Sequence, residues 1–453
     1  MTVRTDADYI YKFFVSDAPS YEQGGKGFVL LLLYSAVGTV LHLMLVLFRP
    51  LLELLGGRWA YRLAERLGRY PQVAIGPGER VLWLHASSVG EVQAALVLLD
   101  ELTRTCTGLR VVLTTTTEQG HRLAESRLPA EITCLMAPLD VVPAVHRALR
   151  TVRPDLYVCL ETELWPVMLT RLRRTGVPMA LVNGRLSERS CRRYLHIRST
   201  MARLLGGFAS LAVITESDGR RFVALGADAS RIRVCGNLKY DMPADDPEAT
   251  RRLSRARLGA SDETVFVCGS THEGEEEQLL AVYRRLAERG PLVFVLAPRH
   301  LERVEAVAAL LGRAGVDFDR FSQLATGDRT APTVLVDTMG DLADLYAGGD
   351  YLFCGGSLVD RGGHNIIEAA RWGRPVFFGP HMKDFRDAAD MLIEAGGGFQ
   401  VSDVDTLATR VLALRNDPGR YDLACACAAA AAASQRGAVR RQADMVRRLL
   451  VAG

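Results

Sequence analysis

The chain has 453 residues, of which 49% are hydrophobic and 24% charged, with a formal net charge of +3. That length and composition fit two or three globular domains and exclude a disordered polymer. The nearly balanced charge excludes a bulk nucleic-acid binder, so no nucleic-acid partner is expected.

The first element in chain order is residues 28–48, FVLLLLYSAVGTVLHLMLVLF, without an Asp, Glu, Lys or Arg. A helix of this length covers a hydrocarbon layer of ~30 Å, so a transmembrane helix over 28–48 is expected within an N-terminal segment 1–49. Acidic residues Asp6, Asp8, Asp17 and Glu22 precede it and no small-residue cleavage site follows, which argues against a secretory leader. His42 reads as a lone polar residue within the run. Arg49, Arg58, Arg62, Arg66 and Arg69 lie downstream, against Arg4, Lys12 and Lys26 upstream. The positive-inside rule then puts everything after residue 49 on the cytoplasmic side of the membrane. Residues 51–68 alternate apolar residues with arginine and suit either an amphipathic helix on the membrane or an ordinary surface helix.

From residue 80, short apolar runs alternate with helical stretches. RVLWLHA (80–86), LRVVLTTTT (109–117), ITCLMAP (132–138), DLYVCLE (155–161), PMALVN (178–183) and SLAVIT (210–215) read as strands of a parallel α/β sheet. Helices are expected over 92–102 and near 119–127. After GNLKYDMPADDPE the series restarts with TVFVCGS (264–270), PLVFVLAP (291–298), TVLVDT (333–338), DYLFCGGS (350–357) and PVFFGP (375–380). Two Rossmann-like domains are expected, 50–238 and 239–453, with a cleft between them and the last helix able to pack back on the first domain. CACAAAAAAS (425–434) reads as helix. Nine dispersed cysteines form no C-x-x-C pair or zinc spacing and indicate a reducing compartment.

Ligands of open α/β sheets bind beyond the carboxyl ends of strands, and the chemically rich segments fall there. Glu91 in SSVGE either completes a helix cap or serves as a general base for an acceptor hydroxyl. Glu161 and Glu163 in ETELW are acids of no use to folding at a strand end. Arg185, Arg189, Arg192, Arg193, Arg198 and Arg203 read as a solvated helix face or as a cationic surface for anionic lipid. Pro298-Arg299-His300 offers a strand-end guanidinium suited to phosphate. Gly355-Gly356-Ser357 and the turn Gly362–Glu368 offer backbone N–H groups to a phosphate, with Glu368 placed for ribose hydroxyls. There is no P-loop. The D-x-D triplets at 6–8, 317–319 and 403–405 read as chance, so no metal and no cofactor is expected.

Taken in order, HASSVGE, TTTTEQG, APLD, ETELWP, NGRLSERS, GNLKYD, GSTHEGEEE, PRHLER, DTMGDL, GGSLVDRGGHNIIEAA and GPHMKDF resemble the Kdo (3-deoxy-D-manno-octulosonate) transferase family over roughly residues 58–440. The resemblance implies a GT-B fold, CMP-Kdo as donor, a lipid A precursor (lipid IVA) as acceptor, inversion at the anomeric carbon, and a place in lipopolysaccharide core biosynthesis at the inner membrane. It further implies Glu91 as the base, with Glu161 and Lys239 stabilising the transition state. CMP contacts would come from Pro298 and Arg299, from Met339, Gly340 and Asp341, and from Asn365, Ile366, Ile367 and Glu368. Glu161 is the hardest of these to justify physically and suits equally the orienting of Lys239 or of a sugar hydroxyl. Asp341 stands where the family has Glu, Leu301 where it has Pro, and the segment before residue 50 is longer than the family's anchor. Two alternatives stay open: a GT-B enzyme using another nucleotide sugar on a different membrane lipid, and a catalytically inactive membrane scaffold.

Overall fold

The structure is a computed structural model that describes residues 26–55, 62–241, 246–325 and 328–452. The acids and bases upstream of residue 26, the D-x-D at 6–8, and positions 56–61 of the amphipathic stretch lie outside those residues. The chain forms two units: Met1–Asp241 with Gly437–Gly453, and Met242–Arg436.

Unit 1 carries a seven-stranded sheet of β1 (Arg80–His85), β2 (Leu109–Thr115), β3 (Thr133–Met136), β4 (Leu156–Leu160), β5 (Met179–Gly184), β6 (Ser210–Val213) and β7 (Ile232–Val234). Their order is β3-β2-β1-β4-β5-β6-β7, all pairs parallel. The central strands are buried on both faces, which is why their sequences are continuous apolar runs without alternation. Trp83, fully buried in β1, packs edge-on against Tyr157 at 5.9 Å and against Tyr70 at 6.3 Å. Its indole N–H donates to Thr114 Oγ1 at 2.9 Å, so its polar atom is satisfied inside the core.

The apolar N-terminal segment is a helix over Lys26–Leu55, and its stretch Val29–Phe48 is long and apolar enough to cross a membrane. Residues 51–55 continue this helix, and Leu63–Arg66 forms a further helical turn. Ser35, Thr39 and His42, spaced along one face, are buried against the helices Val142–Val152, Pro166–Thr175 and Arg198–Leu205. His42 Nε2 lies 3.3 Å from Arg147 Nη1. The opposite face exposes Leu33, Val37, Val40, Leu41, Met44 and Leu47. Polar side chains thus face protein and apolar ones face outward, the reverse of a helix on a water-soluble surface.

The terminal helix Ala438–Ala452 belongs to unit 1 and packs on the helix Val89–Thr105 and on β4 and β5. Asp241 accepts from Gly437 N at 2.7 Å and Val439 N at 2.8 Å, satisfying orphan donors at the start of this helix. Gln442 accepts from Asn183 N at 2.7 Å and donates to Gly236 O at 2.9 Å.

Unit 2 repeats the plan with β8 (Thr264–Thr271), β9 (Leu292–Pro298), β10 (Phe318–Arg320), β11 (Thr333–Leu335), β12 (Tyr351–Cys354), β13 (Val376–Phe378) and β14 (Gly398–Gln400). The order is β10-β11-β9-β8-β12-β13-β14, again wholly parallel. The Ala-rich segment lies in the helix Pro418–Gln435.

Candidate active site

In unit 1 the acids gather at the carboxyl ends of β1 and β4. Ser88 caps the helix Val89–Thr105, and its hydroxyl donates to Glu91 Oε1 at 2.9 Å, while Ser87 N–H donates to Oε2 at 2.9 Å. The capping geometry is therefore real, and it fixes the carboxylate rather than consuming it. Glu91 is almost wholly buried. Burial pushes its carboxyl up to about 7, against the Ser87 hydrogen bond, with the Glu163 and Glu161 charges adding to the rise. A carboxyl so placed exchanges its proton near neutral pH.

Glu161, the residue after β4, takes a left-handed backbone with φ 54°. Such a conformation is unfavourable for a side chain with a Cβ and survives where its surroundings enforce it. Here Lys239 Nζ grips Oε1 at 3.1 Å and Arg185 Nε grips Oε2 at 2.9 Å. Arg185 thus leaves the arginine-rich stretch to join this network, whereas Arg189, Arg192, Arg193 and Arg198 stay exposed. Lys239 is itself held from behind. Asn183, also left-handed at φ 53°, accepts from Leu238 N at 2.9 Å, and Asn237 Oδ1 accepts from Lys239 N at 3.0 Å. The ammonium passes over Gly90, where a Cβ would stand 3.3 Å from Nζ.

His85 was legible only as part of a motif, yet the structure gives it a definite place. Trp165 Nε1–H points at His85 Nε2 at 3.3 Å, which makes Nε2 the acceptor and leaves Nδ1–H to donate to Thr114 Oγ1 at 3.1 Å. The second acid of ETELW, Glu163, lies 3.8 Å from the same ring. A concavity opens beside them, lined by Arg66, His85, Thr114, Asp140, Trp165 and Met168 among others.

In unit 2 the expected nucleotide residues come from the carboxyl ends of β9 and β11 and from the loop before the helix Ile366–Ala370. Pro298, Ile366 and Ile367 are buried, so they present backbone rather than side chain. Arg299 is exposed, and among the described residues its guanidinium makes no hydrogen bond or ion pair. Burial raises the Glu368 carboxyl, with the Arg299 charge opposing the rise. Met339 is 77% exposed on a turn whose Gly340 has φ 93°. Asp341 pairs with Arg257 at 2.6 Å and accepts from Thr338 Oγ1 at 2.5 Å. Against the upward pull of burial, these partners hold its carboxyl below the usual range. Asn365 Oδ1 caps the short helix by accepting from Ile367 N at 3.1 Å.

One expectation is corrected. The Gly355-Gly356-Ser357 loop does form a cradle of backbone donors, but Glu275 of GSTHEGEEE already fills it. Its carboxylate accepts from Gly356 N at 2.7 Å, Ser357 N at 3.0 Å, Leu358 N at 2.9 Å and His272 N at 2.9 Å. Fully buried as it is, Glu275 is the loop's internal anion. Its replacement by alanine is expected to destabilise unit 2 by about 3–5 kcal/mol, because four donors lose their partner. A shift of the denaturant midpoint checks this, and an unchanged midpoint contradicts it.

Two units, each built on a wholly parallel α/β sheet, form the GT-B fold of a glycosyltransferase. The chain belongs to the 3-deoxy-D-manno-octulosonic acid transferase family. Residues 61–242 match the family described as 3-deoxy-D-manno-octulosonic-acid transferase (kdotransferase). The Haemophilus influenzae enzyme of that name is 32% identical over 417 residues, covering 91% of this chain and 97% of its own. The Bordetella pertussis enzyme is 35% identical over 402 residues, covering 86% and 92%. Among solved structures, a UDP-GlcNAc 2-epimerase from Neisseria meningitidis covers 83% of this chain and 100% of its own at 14% identity and TM-score 0.50, a likeness of fold alone. The C-terminal CMP-Kdo binding domain of an Acinetobacter baumannii protein covers 41% of this chain and 96% of its own at 26% identity and TM-score 0.38.

Proposed function

We propose that this enzyme transfers Kdo from CMP-Kdo to lipid IVA, with inversion at the anomeric carbon, on the cytoplasmic face of the inner membrane in lipopolysaccharide core synthesis. The observation that carries the reading is Glu91, a buried carboxyl raised to about 7 and held by two hydrogen bonds at a strand end. As general base, Glu91 takes the proton from the acceptor hydroxyl while that oxygen attacks the anomeric carbon. The bond to the phosphate breaks on the opposite side, and its electron pair leaves with CMP. Lys239 supplies fixed positive charge to the transition state, and Glu161, clamped by Lys239 and Arg185, keeps that ammonium in place. Arg299, Glu368, Asn365 and the Met339–Asp341 turn bind the nucleotide in unit 2. The concavity beside His85 mixes polar and apolar lining suited to a sugar head group. The outward apolar face of the N-terminal helix and the exposed arginines of 189–198 hold the enzyme at an anionic membrane.

The pH profile tests the base. Because burial raises the Glu91 carboxyl, the base is protonated and idle below about 7 and competent above it. Thus log kcat/KM is expected to climb with unit slope as pH rises toward about 7, then level off. A rate undiminished down to pH ~5 would refute the assignment. Proton NMR of the product anomer tests inversion, and retained configuration would exclude direct displacement.

A further inference from the structure

We propose that the paired imidazoles of His272 and His364, with His300 at their edge, receive the phosphate of the departing nucleotide and take up one proton as it becomes a monoester. The inference deepens the proposed function and rests on it.

Three histidines reach one place in unit 2 from three separate segments: after β8, after β9, and in the glycine-rich turn before Ile366. The His272 and His364 rings lie parallel, with centroids 5.1 Å apart and 6° between planes, and His300 meets His272 edge-on at 5.6 Å. The two Nε2 atoms are 2.9 Å apart. At that distance one ring donates N–H and the other accepts. In the neutral pair, the accepting ring therefore carries its proton on Nδ1, while the donating ring has a bare Nδ1. Adding one proton there leaves the bridge intact and turns the pair into a monocation with two Nδ1–H donors. Gly356 makes the pairing possible, since a Cβ there would stand 3.1 Å from His364 Nε2 and 3.3 Å from His272 Cδ2.

The charges around the pair favour an incoming anion. Arg303 and Arg361 act on His272, Arg299 acts on His364, and His300 acts on both. The nearby carboxylates are engaged elsewhere. Glu276 is tied to Arg303 at 2.6 Å and to Thr271 at 3.0 Å, Glu275 fills the backbone cradle, and Glu368 faces Arg299. With no anion present, burial and these arginines push both imidazoles down from the usual histidine range, His364 to about 4. His300 directly follows Arg299 and His364 directly precedes Asn365, two residues proposed to bind CMP.

The reaction supplies the trigger. In the donor the phosphate is a diester with one negative charge. As the sugar C–O bond breaks, the electron pair stays on phosphate oxygen and the group gains a second charge. The acceptor proton goes to Glu91, and the proton for the imidazole pair comes from solvent. Contacts that strengthen as this charge develops stabilise the transition state more than the ground state.

The test is calorimetric titration of the full-length enzyme with CMP and with cytidine, at pH 7.5 in buffers of different ionisation enthalpy. Free CMP is already dianionic at this pH, given a second phosphate pKa of about 6, so a bound proton belongs to the protein. CMP is expected to bind with uptake of about 0.3 proton or more, and cytidine with none. His364→Asn and His272→Asn should each abolish the uptake and weaken CMP about tenfold, with cytidine affinity held within about twofold. Retained cytidine binding shows that a variant is folded, and either variant alone suffices. Wild-type binding of CMP without uptake, or equal uptake in a folded variant, overturns the proposal. If wild type binds neither ligand, the nucleotide reading itself falls.

Discussion

Replacing Glu91 with glutamine is expected to lower kcat by about 10²–10⁴ while leaving CMP affinity unchanged. The amide oxygen still accepts from Ser87 N–H, the Ser88 hydroxyl can turn to accept from the amide N–H, and Ser88 Oγ still accepts from the backbone N–H of residue 91, so the start of the helix Val89–Thr105 keeps its cap. What disappears is the capacity to accept a proton. Stability should move in the opposite direction from activity. A carboxyl raised in the folded state stabilises the fold at low pH, and this contribution is lost as pH rises through about 7. Above that pH the ionised Glu91 is a liability of about 3 kcal/mol. Glutamine removes it, so at pH ~8 the variant should melt no lower than the parent, with the difference shrinking by pH ~5. This is the signature of a residue retained for chemistry at a cost in stability. Near-normal turnover in the variant would remove Glu91 from the mechanism.

The second large effect is expected at Lys239. Alanine there should lower kcat by about 10²–10³, the usual cost of deleting one fixed group that stabilises developing charge. Arginine is not expected to restore the rate, because a planar, delocalised guanidinium does not put its charge where the compact ammonium stands beside Gly90 and Glu161. Glu161 separates the orienting role from the folding role. Its left-handed backbone suits glycine, so Glu161→Gly should keep the fold while releasing Lys239 and Arg185. Activity should fall toward that of Lys239→Ala with little change in melting temperature. If Glu161→Gly keeps full activity, the clamp on Lys239 is structural only.

Most strands that the sequence made legible are buried on both faces, where burial demands an unbroken apolar run; the edge strand β3 is the exception. β7, β10 and β14 escaped notice for the converse reason. Each has three residues at or beside a sheet edge, and IRV, FDR and GFQ are only partly covered. The acids of ETELW were visible because carboxylates at a strand end serve no folding purpose. What holds them was not visible. Arg185 looked like one of six arginines in a helical stretch, and only the register of β4 against β5 brings it to Glu161. Asn183 and Gln442, far apart in sequence, likewise meet only once the terminal helix is docked. Glu275 is one of several acids in the EGEEE run, with nothing in the run to single it out, yet it fills a backbone cradle about eighty residues on, where a phosphate was expected. A run of glycines advertises donors but not their occupant.

Mass spectrometry of the lipid formed from CMP-Kdo and lipid IVA by the purified enzyme tests the central claim most directly. The predicted result is a lipid heavier by whole Kdo residues, formed by the parent enzyme and absent with Glu91→Gln. Unmodified lipid IVA, under conditions in which the Haemophilus influenzae relative transfers Kdo, would contradict it.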